Sequence, residues 1–487
     1  MKKKLYFLIF CSISICSYAQ IDIFYKAYED FKKQTQENYN DFRVKANKEY
    51  LEFMKQAWEE YQAMPAITRP KDETIPPVII KKEDLQKPIK STPIEIEDNI
   101  LTSPKVEPQP TPIYPIIEDT TKDTQYINFS FYGTLLQVRF SMSQPFTLSN
   151  CTEAKVVDLW EKMQKGAIDN TIKDCLELRD NRNLGDWAYL QMLDSLSQAC
   201  IGQGNEATLL MAYIYCQSGY KMRLGIGDGK LYLLYATSHV IYGKNYYVYE
   251  DENFYSYGID IDRISICKAY FPQEKPLSLI LNQSLNLTQN KTAKRTLKSE
   301  RYPELEFSVS VNRNLLDFMS NYPSSMVDDN FMTRWAMYAN LQLDSEVQHE
   351  LLPQIKTKLQ NVEEKEAVEK LLNWVQTAFV YEYDDVVWGE DRPFFSEETL
   401  FYPYCDCEDR AILFTRLVRD LFGLKCILIY YPGHLASAVC FTKETIGDYI
   451  VVENEKYVVC DPTFIGASVG MTMPGMDNQK AFVIILN

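Results

Sequence analysis

The feature that most constrains this chain is the unequal distribution of its prolines and glycines. Eleven of the 22 prolines lie between Pro65 and Pro115, whereas all 18 glycines lie beyond residue 132. A proline-rich stretch without glycine is typical of a semi-rigid spacer with polyproline character. We therefore predict a largely unstructured linker at residues 64–125. A proline-motif docking site is the alternative, although no regular P-x-x-P ladder supports it.

The chain begins with the pattern of a targeting segment. Three lysines precede an apolar stretch, and residues 17–19 form a small-residue cleavage pattern. The stretch is too short for a transmembrane anchor, and neither Cys11 nor Cys16 follows the small residue that a lipoprotein signal needs. We predict a cleavable signal peptide at residues 1–19, and hence a periplasmic or extracellular protein.

Aromatic residues recur at a regular interval at the start of the predicted mature chain, as at Tyr28, Tyr39 and Tyr50, and no Gly or Pro interrupts the pattern. Eleven residues in three turns is about 3.67 per turn, which keeps the aromatic stripe on one face of a nearly straight helix. We predict a long amphipathic helix at residues 20–63 that lies on its own domain or self-associates. A helix that binds a specific partner is the alternative.

Charge and histidine content exclude several classes of protein. There are 67 acidic residues against 51 Lys and Arg, a net charge of −16, so no excess of cations is available to bind nucleic acid. No apolar run of about 18 residues or more follows the N-terminus, so no membrane span is expected. The chain has only three His, which excludes a histidine-rich metal site, and no cofactor is implied.

Two parts of the globular region share an order of sequence patterns. A helical pattern after Gly204 ends at Gly219, and a helical pattern from Cys407 ends at Gly423. A glycine after the last turn fits a left-handed helix cap. Aligning the two terminal glycines gives a numbering offset of 204 (423 − 219), which places Gln203 opposite Cys407.

Strand patterns and one histidine follow each of these helices, His239 in the first half and His434 in the second. This repeated order of helix, strands and histidine indicates a tandem duplication. We predict an α+β fold made of two related domains, at residues 126–300 and 301–487.

Cys407 stands at the predicted N-terminus of a buried helix. Free backbone N–H groups and the helix dipole stabilise a thiolate there, whereas Asp406, Glu408 and Asp409 raise the thiol pKa. A nearby imidazolium could offset these acids. His434 opens a strand after a Pro-Gly turn and can supply that charge.

The spacing of His434 supports this pairing. The same interval separates Cys407 from His434 (434 − 407 = 27) and His434 from Asp461 (461 − 434 = 27), and Asp461 ends a strand. An Asp at a strand end can accept the His N–H and fix the ring tautomer. Nucleophile, base and orienting group therefore occur in this order along the chain.

Three segments carry a resemblance to a known family: Asp-Cys-Glu-Asp-Arg-Ala from Asp406, Pro-Gly-His ending at His434, and Cys-Asp-Pro-Thr around Asp461. They resemble the bacterial transglutaminase-like superfamily, whose α+β core is shared with papain-type cysteine proteases. The resemblance covers about residues 330–465 and implies Cys407, His434 and Asp461 as a catalytic triad. It implies a cysteine-dependent hydrolase (protease or amidase) or acyl-transferase that acts on a peptide, protein or cell-wall peptide through a thioester.

The first half departs from the family pattern where chemistry is needed. Gln203 stands at the Cys position, and His239 has no nucleophile beside it, although Asp260 or Asp262 could pair with it. We expect a degenerate copy at residues 126–300 that shapes the substrate cleft. Because this copy tolerates the loss of chemistry, the alternative is a non-catalytic peptide- or cell-wall-binding module.

The ten cysteines of the mature chain are expected to be mainly buried free thiols. A zinc site from Cys405, Cys407, Cys426 or Cys460 with His434 matches no standard zinc spacing, so no metal is expected. A disulfide between Cys405 and Cys407 would need strained geometry, although it could act as a redox cap on the nucleophile.

Overall fold

The computed structural model describes residues 26–487 except positions 29, 36, 39, 71–74, 86, 97–98, 120–124, 141–145 and 166–167. The predicted signal peptide lies outside the described residues. The described chain is a mixed helix and strand fold, compatible with the predicted α+β class. Among the described helices, none is long and apolar enough to cross a membrane.

The helices and strands have the following bounds. The helices are α1 (residues 26–54 apart from positions 29, 36 and 39), α2 (Lys82–Leu85), α3 (Glu153–Lys165), α4 (Asp169–Asn181), α5 (Asp186–Ile201), α6 (Asn205–Gln217), α7 (Arg313–Met319), α8 (Thr333–Asn340), α9 (Ser345–Leu359), α10 (Glu364–Thr377), α11 (Asp384–Val387), α12 (Ser396–Phe401) and α13 (Cys407–Phe422). The strands are β1 (Trp58–Gln62), β2 (Ile100–Thr102), β3 (Tyr126–Phe131), β4 (Thr134–Arg139), β5 (Met222–Gly227), β6 (Lys230–Ala236), β7 (Val240–Ile241), β8 (Tyr246–Tyr249), β9 (Glu252–Ser256), β10 (Arg263–Cys267), β11 (Arg295–Lys298), β12 (Glu306–Val309), β13 (Ser325–Met326), β14 (Val380–Tyr381), β15 (Tyr404–Cys405), β16 (Cys426–Tyr431), β17 (His434–Val439), β18 (Tyr449–Val452), β19 (Glu455–Cys460) and β20 (Phe482–Ile485).

The described residues include two six-stranded sheets, one in each half, with corresponding strand orders. The first is ordered β1-β10-β5-β6-β9-β8 and the second β2-β20-β16-β17-β19-β18. In each sheet, the two strands after a buried helix, α6 or α13, form an antiparallel hairpin at the centre. The sheets differ at one edge, because β1 runs antiparallel to β10 whereas β2 runs parallel to β20.

The N-terminal helix is shorter than predicted. It ends at Met54 instead of continuing to residue 63, and Trp58–Gln62 form strand β1 on the edge of the first sheet. Strand pairing there satisfies backbone groups of β10 that a helix would leave unpaired. The last turns of α1 lie on the first half, where the Tyr50 ring stacks on Phe271 with ring centroids 4.3 Å apart.

The proline-rich segment, predicted to be a largely unstructured linker, contains little regular structure but lies along both halves. Met64 pairs with Tyr246 in the first half, and Pro93 pairs with Tyr449 in the second. Strand β2 then closes the edge of the second sheet. Residues between the prolines keep their N–H donors, so the segment can still add short pairings to existing sheets.

Helix α13 is the central element of the second half. It packs against β16 and β17 on one side and against α8, α10 and α12 on the other, and its residues Ala411, Leu413, Phe414 and Leu417 are fully buried. The helix ends at Gly423 with φ 68°, the left-handed cap predicted from the sequence. Its N-terminus, where Cys407 lies, is therefore enclosed by the surrounding elements.

Candidate active site

His434 lies at the start of one strand and Asp461 directly after the end of its antiparallel neighbour, and the two side chains contact each other. His434 opens β17 and Asp461 follows β19, and His434 Nε2 is 2.9 Å from Asp461 Oδ2. Asp461 Oδ1 accepts the backbone N–H groups of Thr463 and Phe464, which hold the carboxylate in place. The structure thus places His434 and Asp461 in direct contact.

The other ring nitrogen of His434 is buried and has no hydrogen-bond partner among the described residues. His434 lines the same cavity as Cys407. When Nε2 donates its proton to Asp461, Nδ1 of the neutral ring is an acceptor. A buried acceptor without a donor is uncommon, and this one suits a base that receives a proton from a group in the cavity.

Cys407 is the first residue of α13 and is only 3% exposed. The helix begins here because Asp409 accepts the backbone N–H of Asp406 through its carboxylate, the contact of a capping box. The thiol donates to Glu408 Oε2 at 3.5 Å. The structure therefore brings Cys407 and His434 into one cavity without a hydrogen bond between them.

The charge around the thiol disagrees with part of the sequence analysis. Burial, followed by the carboxylates of Asp406 and Glu408, raises the pKa of the Cys407 thiol well above its ordinary value, and a hydrogen bond from the backbone N–H of Leu435 opposes this only weakly. The stabilisation expected from the helix N-terminus is thus outweighed. In the observed arrangement the thiol is protonated at neutral pH.

Further acids surround the start of α13. Asp384 of α11 is buried, and Asp391 in the following loop is partly exposed. Burial, reinforced by neighbouring carboxylates, raises the pKa of Asp384 to about 8 and that of Glu408 to about 7. Sequence analysis found Glu408 but missed Asp384 and Asp391, since no spacing relates them to Cys407.

Two arginines counter these acids. Arg334 of α8 lies with Nη2 3.4 Å from Asp391 and 3.6 Å from Glu408. Arg69, from the proline-rich segment, forms an ion pair with Asp391 and has Nη2 3.7 Å from Glu408. Sequence analysis identified neither arginine, because each reaches the site from a distant part of the chain.

These side chains line a cavity of about 130 Å³ that also contains Cys407 and His434. A second cavity of about 470 Å³ adjoins it, with walls from both halves of the chain. The two cavities share Arg69, Pro70 and Asp391. The proline-rich segment therefore forms part of the wall between them.

Several groups of side chains have the composition of a cation site. Oxygens of Asp384, Asp391 and Glu408 lie within 4.8 Å of one another, but Arg69 and Arg334 already pair with two of these acids.

All ten described cysteines are free thiols, namely Cys151, Cys175, Cys200, Cys216, Cys267, Cys405, Cys407, Cys426, Cys440 and Cys460.

The thiols considered for a zinc site contact different groups. The Cys405 sulfur accepts from Arg410 Nε at 3.4 Å, whereas Cys426 and Cys460 donate to backbone carbonyl groups on their own strands or turns. Contacts of this kind are those of packed core thiols.

Among its described residues, the first half does not place an equivalent triad. The first residues of β5 and β16 differ in number by 204 (426 − 222), and those of β6 and β17 differ by 204 as well (434 − 230). Lys230 therefore stands opposite His434, and Gln203, which is exposed, stands opposite Cys407. The predicted correspondence of His239 with His434 is wrong, because His239 lies beyond the end of β6.

His239 is buried, and both of its ring nitrogens contact other groups of the fold. Its Nε2 accepts the backbone N–H of Leu279 at 3.2 Å, and its Nδ1 lies 3.2 Å from Ser325 Oγ. Burial lowers the pKa of His239 to about 4. Asp260, proposed as its partner, instead accepts the backbone N–H of Asn245.

Comparisons with protein-family models and with curated proteins found no match to this chain. The transglutaminase-like resemblance therefore stays a prediction that rests on the residues and geometry above.

Proposed function

We propose that this protein is an exported cysteine-dependent hydrolase (protease or amidase) or acyl-transferase that acts on a peptide or other carboxamide. One observation carries the proposal: His434 is held through Nε2 by Asp461 at 2.9 Å, its Nδ1 has no partner in the described part of the chain, and the residue lines the cavity that Cys407 also lines. Export is proposed from the sequence pattern of residues 1–19.

The proposed reaction needs only these side chains. The thiol turns from Glu408 towards His434, whose Nδ1 takes the proton as Cys407 Sγ attacks the carboxamide carbon. The ring then returns the proton to the leaving amine, and a thioester remains on Cys407. Water attacks the thioester in hydrolysis, and an amine attacks it in transfer; either step releases the thiol. The backbone N–H of Cys407, at the helix N-terminus, is a candidate donor to the oxyanion.

We also propose that the two halves are tandem transglutaminase-like domains, a degenerate copy at residues 126–300 and a catalytic copy at residues 301–487. The matching strand orders, and the numbering offset of 204 that β5/β16 and β6/β17 share, support this interpretation. In the first copy, Gln203 and Lys230 stand opposite Cys407 and His434, which fits a domain without catalytic activity. Helix α1 and the proline-rich segment precede both copies in the chain.

A non-catalytic binding module is the second candidate, and one observation favours it. The Cys407 thiol is buried, its pKa is raised, and it donates to Glu408 instead of to His434. A pseudoenzyme could keep this arrangement and use the cavity only to hold a peptide or cell-wall ligand.

The rate of iodoacetamide labelling of Cys407 at pH 6 and pH 8, followed by peptide mapping, separates the two candidates. A His-assisted thiol should label at pH 6, and His434→Ala should slow this by about tenfold or more, because the base no longer stabilises the thiolate. Cys440, which is partly exposed, is the internal control and should be unaffected. Equal labelling of Cys407 in both proteins, rising only at or above the ordinary thiol pKa of about 8.5, would reject the triad and favour the binding module.

A further inference from the structure

Five of the sixteen residues that line the cavity beside Cys407 are acidic, Asp385 among them. Asp384, Asp391, Asp406 and Glu408 all face it. Carboxylates this close together repel each other, so they retain protons or require a cation among them. Burial, reinforced by the neighbouring carboxylates, raises the pKa values of Asp384 and Glu408, as expected for acids that are removed from water beside one another.

Arg69 brings a cation into this site from outside the second half. Its side chain pairs with Asp391 and donates to the Asp391 backbone carbonyl at 3.1 Å. Pro70 lines the cavity, and Ile75 donates its backbone N–H to the Gly433 carbonyl at 3.0 Å, next to His434. The proline-rich segment thus contacts the second half at Asp391 and at Gly433, and Arg69 and Pro70 line the cavity that Cys407 also lines.

One carboxylate oxygen of the site lacks a donor even with Arg69 in place. Asp406 is 5% exposed and lines the cavity, and its Oδ1 has no hydrogen-bond partner among the residues that the structure describes. Leaving such an oxygen unpaired in the interior costs free energy. Arg334 does not satisfy it: its Nη2 pairs with Asp391 and Glu408, and its Nε and Nη1 have no hydrogen-bond partner among the described residues. An additional N–H donor would complete the site.

We propose that this acid-lined cavity is the subsite for a cationic group, a guanidinium or an ammonium, of the substrate of Cys407, and that Arg69 occupies it as an internal mimic. This inference rests on the proposed function. A substrate cation displaces Arg69 from Asp391 and Glu408 and takes its place in the cavity, so that the bound substrate, instead of Arg69, lies beside the thiol. The adjoining cavity, which Arg69 and Pro70 also line, then accepts the rest of the substrate.

Labelling of Cys407 by iodoacetamide in the full chain tests the subsite. Arg69→Gln should label on the order of tenfold faster than wild type, because the covering side chain loses its charge and its ion pairs. Ethylguanidinium or ethylammonium at about 10 mM, a concentration suited to a millimolar Kd, should slow labelling of this variant towards the wild-type rate. Uncharged ethylurea should not. The more protective cation identifies the preferred group.

Two further variants control for folding and charge. Arg69→Lys keeps a cation and should label like wild type, and Lys90→Ala removes an exposed charge from the same segment and should also label like wild type. A melting curve for each variant separates opening of the cavity from unfolding. Equal labelling of wild type and Arg69→Gln, or equal protection by ethylurea and the cations, would overturn the proposal.

The subsite and the triad can fail separately, because alkylation reports access to Cys407 and needs no turnover. Cation-dependent protection in Arg69→Gln without any effect of His434→Ala would keep the subsite and reject the triad. A strong effect of His434→Ala without cation-dependent protection would keep the triad and reject the subsite.

Discussion

Replacing Glu408 by Gln should make the Cys407 thiol more reactive. Glu408 Oε2 accepts a hydrogen bond from the Cys407 thiol at 3.5 Å, and the negative charge of Glu408 disfavours the thiolate. Gln has nearly the same shape but no charge, so the protonated thiol loses a strong acceptor. Arg69 and Arg334, which lie near Glu408, then act on the thiolate without this opposing charge.

The distance gives the size of the effect. Two unit charges 3.5 Å apart interact by about 5 kcal/mol at an effective dielectric of about 20, which corresponds to about 3 pKa units. Glu408, whose pKa is about 7, is partly protonated, and the two arginines offset part of its charge. Both effects weaken the interaction between Glu408 and the thiolate, so we expect the pKa of the Cys407 thiol to fall by about 1 to 3 units. A thiolate of lower pKa is also a weaker nucleophile, which cancels part of the gain from the larger thiolate fraction. The alkylation rate of Cys407 should therefore rise by about 3-fold to 50-fold.

The assay is the iodoacetamide labelling rate of Cys407 at pH 7 to 9, compared between wild type and Glu408→Gln. Glu397→Gln is the matched control, because Glu397 is also a buried carboxylate with a pKa of about 7 but does not line the cavity of Cys407. The control should leave labelling unchanged. Unchanged or slower labelling in a folded Glu408→Gln protein would refute the electrostatic argument.

Three other predictions address the triad, the first half and the linker. Asp461→Asn should slow labelling of Cys407 at pH 6 by about tenfold or more, since His434 loses its carboxylate, whereas Asp260→Asn in the first half should not. Burial lowers the pKa of His239 from 6.5 to about 4, so His239 takes up a proton in the unfolded chain before it does in the folded protein. The free energy of unfolding should therefore fall by about 3 kcal/mol as the pH drops from 6.5 to about 4. Urea unfolding should show a shallower pH dependence for His239→Gln. Gly219→Ala should destabilise the protein more than Gly423→Ala in thermal melts, because a Cβ at Gly219 would clash with the Thr111 carbonyl oxygen whereas one at Gly423 would meet no described atom. Similar losses at both glycines would mean that the proline-rich segment does not pack on the first half.

Local features of the fold were predictable because neighbouring residues cause them. The start of α13 at Cys407 follows from the capping acids, and its end at Gly423 follows from the left-handed cap. The spacing of His434 and Asp461 placed them on adjacent strands, where they contact each other. These features need only hydrogen-bonding groups within a few residues, or strands that follow one another closely.

The end of α1 was mispredicted for the opposite reason. The regular aromatic pattern continues through Tyr61, so helix periodicity alone extends the helix to residue 63. Strand β10, far later in the chain, offers an unpaired edge that β1 fills instead. Pairing across so long a separation cannot be read from local propensity, because tertiary contacts override it.

The sequence by itself determined the order of Cys407, His434 and Asp461 and the helix and strands that hold them. Only the tertiary structure decided the environment of the thiol, because Asp384, Asp391 and Arg334 come from separate elements and Arg69 comes from the proline-rich segment. Charge acts through space and grows stronger as water is excluded. The pKa of Cys407 therefore depends on which distant side chains folding buries beside it.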